Sequence, residues 1–154
     1  MIRGFHHAAI CTPDLERSLH FYRDLVGLEV LSEGGWESGW DVADRITDLK
    51  GTAARWVMLS AGNANLELFQ YESPPGLRQD PDRPVNDPGI THICLEVTGL
   101  QAMYDRLVAA GMRFHCPPQD QGDIGWATYG RDPDGNVVEL LEYPDPDHVE
   151  ALKL

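Results

Sequence analysis

The chain carries the same order of parts twice, which restricts it to folds assembled from two copies of one small unit. From His7 and again from His92, a short strand-like run, HAAICT or HICLEV, leads into a segment with helical spacing. In the first segment Leu15, Leu19, Tyr22 and Val26 recur at i, i+4, i+7 and i+11. In the second, Leu100, Met103, Tyr104 and Leu107 recur at i, i+3, i+4 and i+7. Each spacing gathers apolar groups on one side of a helix. Pro13 suits a helix start, and Gly27 and Gly111 suit the left-handed position past a helix end. Strand-length runs follow each helix: LEVLSE, ARWVMLS and NLELFQY in the first half, MRFHC, WATYG and NVVELLEY in the second. The order reads βαβββ twice, an α+β class. Ala61-Gly62-Asn63 and Asp132-Pro133-Asp134-Gly135-Asn136 join the last two runs of each half and predict hairpins.

The first module spans residues 1–72 and the second 90–154, C-terminal tail included. Between them, residues 73–89 hold Pro74, Pro75, Pro81, Pro84 and Pro88, too much proline for regular structure, and read as a linker within one structural domain. His7 and Glu67 lie 60 positions apart, against 47 for His92 and Glu139, so the first module holds about 13 extra residues. They fall within Gly34 to Ala53, a stretch that contains Trp36 and Trp40.

Composition narrows the function. A net charge of −13, with acidic residues spread along the chain, opposes attraction to nucleic acid or anionic lipid. No Gly-rich phosphate loop is present, and no nucleotide cofactor is assigned. Nor does any run approach the roughly 18 apolar residues of a membrane span. The N-terminus lacks a secretion-signal pattern, and Cys11, Cys94 and Cys116 form no paired spacing. Both point to a reducing compartment, the cytoplasm.

Side chains alternate faces along a strand, which tests whether the repeat carries chemistry. His7 shares a face with Ala9 and Cys11, and His92 with Cys94 and Glu96, while the other faces are apolar. Glu67 shares a face with Asn65, Phe69 and Tyr71, and Glu139 with Val137, Leu141 and Tyr143. A lone strand histidine is usually structural, and a lone glutamate usually solvated. The matched His-then-Glu register in both repeats instead points to one divalent cation held by His7, Glu67, His92 and Glu139. Such nitrogen and oxygen donors suit zinc, nickel, cobalt, manganese or ferrous iron. Glu96 faces the same cavity as a candidate proton relay. Cys11, Phe69, Tyr71, Cys94, Trp126 and Leu141 are candidate pocket residues, whereas His6, His20, His115 and His148 are not favoured as ligands.

The segments HHAAICTPDLERSLHFYRDLVGLEV, LELFQY, GITHICLEV and GRDPDGNVVELLEY resemble the vicinal oxygen chelate superfamily of glyoxalases, bleomycin-resistance proteins and extradiol dioxygenases, over essentially the whole chain. That resemblance implies paired βαβββ modules forming a curved eight-stranded mixed sheet around a metal, commonly in a homodimer. It also implies ligands at these four strand positions. The His, Glu, His, Glu order is similar to bacterial glyoxalase I, in which a carboxylate removes a proton next to a carbonyl. Two positions depart from that enzyme: Cys11 stands where the glutathione-binding arginine is expected, and Tyr71 replaces a polar amide. Methylmalonyl-CoA epimerase is similar too, but usually has glutamine at the position of Glu67.

The reading is therefore a lyase or isomerase acting on a small molecule with two neighbouring oxygens, with Glu67 or Glu139 as the base. An extradiol ring-cleaving dioxygenase using His7, His92 and Glu139 is the alternative, and a metal-free drug-binding protein the non-enzymatic one.

Overall fold

The computed structural model describes residues 1–153. The chain divides into two compact units, Met1–Arg78 and the residues from Gln79 onward.

The first unit holds a four-stranded sheet in the order β1-β4-β3-β2, made of β1 (His7–Cys11), β2 (Glu29–Trp36), β3 (Ala53–Ser60) and β4 (Asn65–Ser73). β1 runs parallel to β4, and β2, β3 and β4 form an antiparallel meander. One sheet face carries Ile10, Val57, Leu59, Leu66 and Leu68, all buried together with Leu15, Leu19 and Tyr22 of the helical segment. Helix α1 (Leu15–Leu19) begins later than the Pro13 start expected from sequence, because Asp14 is its cap and accepts the Arg17 amide at 3.1 Å. It continues as a wider π-helical turn over His20–Val26, whose last bonds run from the Gly27 and Leu28 amides to the Tyr22 carbonyl. Gly27 closes it in the left-handed conformation at φ 100°.

The second unit holds β5 (Ile93–Glu96), β6 (Arg113–Phe114), β7 (Gln119–Asp120), β8 (Trp126–Arg131) and β9 (Val137–Glu142). Their order is β5-β9-β8-β6, with β7 also pairing β8, and β5 is parallel to β9. The expected eight strands are thus nine among the described residues. Helix α3 (Leu100–Ala109) buries Leu100 and Leu107, and on the sheet Val138 and Leu140 are fully buried.

The two units cap their helices in the same way. In the first, the Gln70 side chain accepts the Leu15 amide at 2.8 Å. In the second, the Glu142 carboxylate accepts the amides of Gly99 and Leu100. Each capping residue stands three positions after Glu67 or Glu139, hence on the opposite sheet face. The last strand of each unit therefore anchors the helix with one face and presents a carboxylate on the other.

Two stretches differ from expectation. The extra residues of the first unit include helix α2 (Asp41–Thr47), which lies between β2 and β3 in the chain. Part of the proline-rich stretch packs on the second unit: Gln79 donates to Asn136 at 2.7 Å, Asp82 pairs with Arg113 at 2.9 Å, and Arg131 donates to the Arg83 carbonyl at 2.8 Å. Among the described residues no helix is long and apolar enough to cross a membrane.

Removing the Glu142 cap should be felt as a stability loss distinct from cavity formation. Glu142→Ala should cost about 1 kcal/mol, in the range of lost helix caps, and Leu140→Ala about 2–5 kcal/mol. Urea unfolding of the two variants would show both losses, with the larger one in Leu140→Ala.

Candidate active site

In the first unit the parallel register sets Ala9 opposite Glu67, and His7 lies two positions before Ala9 on the same face. His7 Nε2 lies 3.3 Å from Glu67 Oε2, with the carboxylate side chain 13% exposed. In the second unit Cys94 pairs with Glu139, and His92 stands just ahead of β5. His92 Nε2 lies 3.1 Å from Glu139 Oε2, and that carboxylate is 15% exposed. Each unit thus brings its predicted histidine and glutamate together. Among the described residues no group of three or more His, Cys, Asp or Glu side chains is gathered to the point of holding a metal.

The other imidazole nitrogen of each pair is engaged by the preceding residue. His6 Nδ1 is 2.7 Å from His7 Nδ1, and Thr91 Oγ1 is 2.8 Å from His92 Nδ1. Holding Nδ1 fixes the ring plane and turns Nε2 toward the carboxylate, the arrangement that lets imidazole serve as an oriented ligand or proton carrier. The sequence signal was the His6-His7 and Thr91-His92 dipeptides. His6, not favoured as a ligand from the sequence, is a ring partner of His7, with centroids 5.0 Å apart.

Around these pairs the two faces differ. By register, the Glu67 face includes Cys11, Phe69 and Tyr71 as expected, and adds Met58, Trp56 and Trp36 from β3 and β2. Burial, and then the charges of Cys11 and Glu67, raise the Tyr71 hydroxyl above its ordinary pKa and keep it protonated. On the Glu139 face lie Cys94, Leu141 and Tyr129. Trp126 moves out of the expected pocket: it pairs with Glu142, on the helix-capping face. Tyr129 takes its place, directly opposite Glu139 and with its ring centroid 4.9 Å from that of His92.

Glu96 is on the same side of β5 as Cys94, and its carboxylate accepts the Leu152 amide at 2.8 Å. That contact ties the C-terminal segment to β5. His115, although exposed, joins the neighbourhood of Tyr129 at 6.1 Å between centroids and accepts from Arg131 Nε at 3.2 Å. Burial and the two neighbouring arginines, Arg131 and Arg113, lower its pKa and hold the ring neutral. Cys94 has exposed surface, yet partial enclosure and the Glu139 carboxylate, to which its thiol hydrogen-bonds, push it up to about 12.

An α+β chain made of two repeats, each presenting a histidine at or just ahead of its first strand to a glutamate of its last, defines a narrow class of proteins. Residues 4–140 match the model of the Glyoxalase/Bleomycin resistance protein/Dioxygenase superfamily, and the chain belongs to that superfamily. It is 33% identical over 147 residues to a 2-epi-5-epi-valiolone epimerase from Actinomyces sp, covering 90% of this chain and 79% of the relative. It is 28% identical to the mitochondrial methylmalonyl-CoA epimerase of Dictyostelium discoideum, over 92% of this chain and 79% of that one. The crystal structure of a glyoxalase family protein from Bacillus cereus shares the fold with a TM-score of 0.83 at 22% identity, covering 92% of this chain and 95% of that one.

Two measurements check these environments. With its pKa near 12, Cys94 in metal-free protein should be alkylated by iodoacetamide at pH 8 at least about tenfold more slowly than free cysteine, since the thiolate is the nucleophile. Peptide mass spectrometry would report the rate. Asp44 has a lowered pKa because Thr52, through hydroxyl and amide, and the Gly51 amide all donate to it. A depressed carboxylate stabilises the fold fully above its unfolded value, about 3.9, and that contribution fades as pH falls through the lower folded value. Asp44→Asn should accordingly lower Tm at pH 7, and its deficit should shrink below about pH 3.

Proposed function

We propose that this protein is a divalent-metal-dependent isomerase or lyase that moves a proton at the carbon next to a carbonyl. The observation that carries this reading is the twofold His–Glu pair, with each imidazole held at Nδ1 and each carboxylate largely shielded from water. Two further facts support it: both relatives described above are named epimerases, and the superfamily membership spans most of the chain.

The donor chemistry fits a cation. Two neutral imidazoles and two carboxylates are ligand types for zinc and its first-row neighbours, and the close ion-pair partners of Glu67 and Glu139 are imidazoles rather than arginine or lysine. His7 and Glu67, with His92 and Glu139, would hold the ion, the two pairs drawn from one chain or from two copies of it. A bound divalent cation supplies Lewis acidity, acidifying the C–H beside a chelated carbonyl and taking up the developing negative charge.

The chain's own groups do the rest. Glu67 or Glu139 accepts the proton from carbon, and proton return to that or the neighbouring carbon gives epimerisation or isomerisation. Expulsion of a leaving group instead gives a lyase. The Cys94 thiol donates to Glu139, which occupies part of that carboxylate and favours Glu67 as the more available base. Tyr129, kept protonated by burial and by Glu139 and Cys94, is a neutral donor beside the pair. Tyr71 holds the same state on the other face.

Purified protein should carry a stoichiometric divalent cation by elemental analysis, and with it should exchange the α-protons of hydroxy-ketones for deuterium in heavy water. Glu67→Gln should slow that exchange by about 10²- to 10⁴-fold, the usual span for loss of a general base, and chelation should abolish it. Absence of bound metal would favour a binding protein, and oxygen uptake with catechols without deuterium exchange would favour ring cleavage.

A further inference from the structure

Past β9 the chain turns back on the second unit, and residues 145–152 first fold on themselves. The His148 amide donates to the Asp145 carbonyl at 3.1 Å, and the Ala151 amide to the His148 carbonyl at 3.1 Å. The Glu150 amide donates to His148 Nδ1 at 3.2 Å, and Lys153 Nζ to the Pro146 carbonyl at 2.5 Å. Pro144 and Pro146 stiffen the entry, since each fixes its own φ. The result is a short strap held together by its own bonds.

Its contacts with the rest of the unit are fewer. The Tyr143 ring stacks on that of His148, with centroids 4.4 Å apart at 13°, and its hydroxyl donates to Glu150 at 3.1 Å. The Leu152 amide donates to Glu96 at 2.8 Å, and next to it Ala151 is buried. Val149, between these points, is 89% exposed. Glu96 shares its side of β5 with Cys94, which the register sets opposite Glu139. Desolvation, then the hydrogen bond and charge of Glu150, then the charges of Cys94 and Glu96 raise the Tyr143 hydroxyl above its ordinary pKa, so these groups surround one point.

The amide acceptor is particular to the second repeat. Four positions past its histidine stands Glu96, where the first repeat has Cys11. Tyr143 has a counterpart in Tyr71, but Tyr71 stacks on Phe69 of its own strand. A segment rich in bonds to itself and poor in bonds to its support comes away whole, because opening breaks only the few docking contacts.

We propose that residues 145–152 are a latch, caught by Glu96 and Tyr143, whose opening sets how large a molecule reaches the Cys94–Glu139 side of the second sheet. Glu96 is then a positioning residue, its carboxylate engaged by the Leu152 amide. Closing such a segment sheds water from the groups beneath it. The inference adds regulation to the proposed site and rests on that reading for its chemistry, while the latch is measured without it.

The test reads access at Cys94 as the ratio of its alkylation rates with a bulky maleimide, N-pyrenylmaleimide, and with iodoacetamide, by peptide mass spectrometry on the full chain. The ratio cancels the thiolate fraction common to both reagents. Leu152→Pro removes the donating amide hydrogen, and Glu96→Ala removes its acceptor. Each should raise the ratio at Cys94 at least about fivefold, leaving Tm and the ratios at Cys11 and Cys116 unchanged. Glu96→Gln, which keeps an acceptor oxygen but not the charge, should stay within about twofold of the parent. In hydrogen exchange the Leu152 amide should be protected in the parent and in Glu96→Gln, and exchange at least about tenfold faster in Glu96→Ala. An unchanged ratio in Leu152→Pro and Glu96→Ala, an equal rise in Glu96→Gln, a parallel rise at all three cysteines, or an unprotected Leu152 amide in the parent would each overturn the proposal. Latch behaviour in a protein that exchanges no ketone protons for deuterium would sustain it and overturn only the proton-transfer reading.

Discussion

The parallel pairing of the first and last strand in each unit governs the rest of the structure. A strand has two faces, and a one-residue slip exchanges them completely. In this chain the slip is blocked because the wrong register would turn Leu66 and Leu68, or Val138 and Leu140, out of the core. It would also withdraw Gln70 and Glu142 from the helix ends that they cap. The energy of burying aliphatic side chains therefore decides where two acidic groups go. Glu67 and Glu139 are held on a half-dry face as a by-product of packing that involves neither of them.

Carboxylates in that position need partners, because burying charge without one is costly. An arginine would neutralise each permanently. Histidine is the partner here, and its orientation is set by a neighbour one residue earlier in the chain. The repeat thus contains a complete small device, comprising packing face, helix cap, carboxylate, imidazole and imidazole holder, and the chain carries it twice.

Much of this was legible in the order of residues. Alternation placed His7, Glu67, His92 and Glu139 on the faces where they are found, and helical spacing located Leu15, Leu19, Leu100 and Leu107 in the core. What escaped was information held by pairing rather than by period. Trp126 was assigned to the pocket because its strand was visible but its register against β9 was not, and the same gap hid Tyr129 and Trp56. Helix α2 escaped because Val42 and Ile46, its helically spaced apolar residues, are exposed. Its stability comes from Asp44 bonding to Gly51 and Thr52, which no periodicity reveals. The two-residue strands β6 and β7 are too short to carry a pattern.

The attachment of that short helix also bears on how such proteins diversify. Asp44 secures the segment through hydrogen bonds to a loop, and of the helix only Ala43 is buried. The sequence of helix α2 can consequently be exchanged with little disturbance to the aliphatic interior or to the strands that carry the acidic groups. One end of a common scaffold becomes a replaceable fitting beside an unchanged pair of His–Glu contacts.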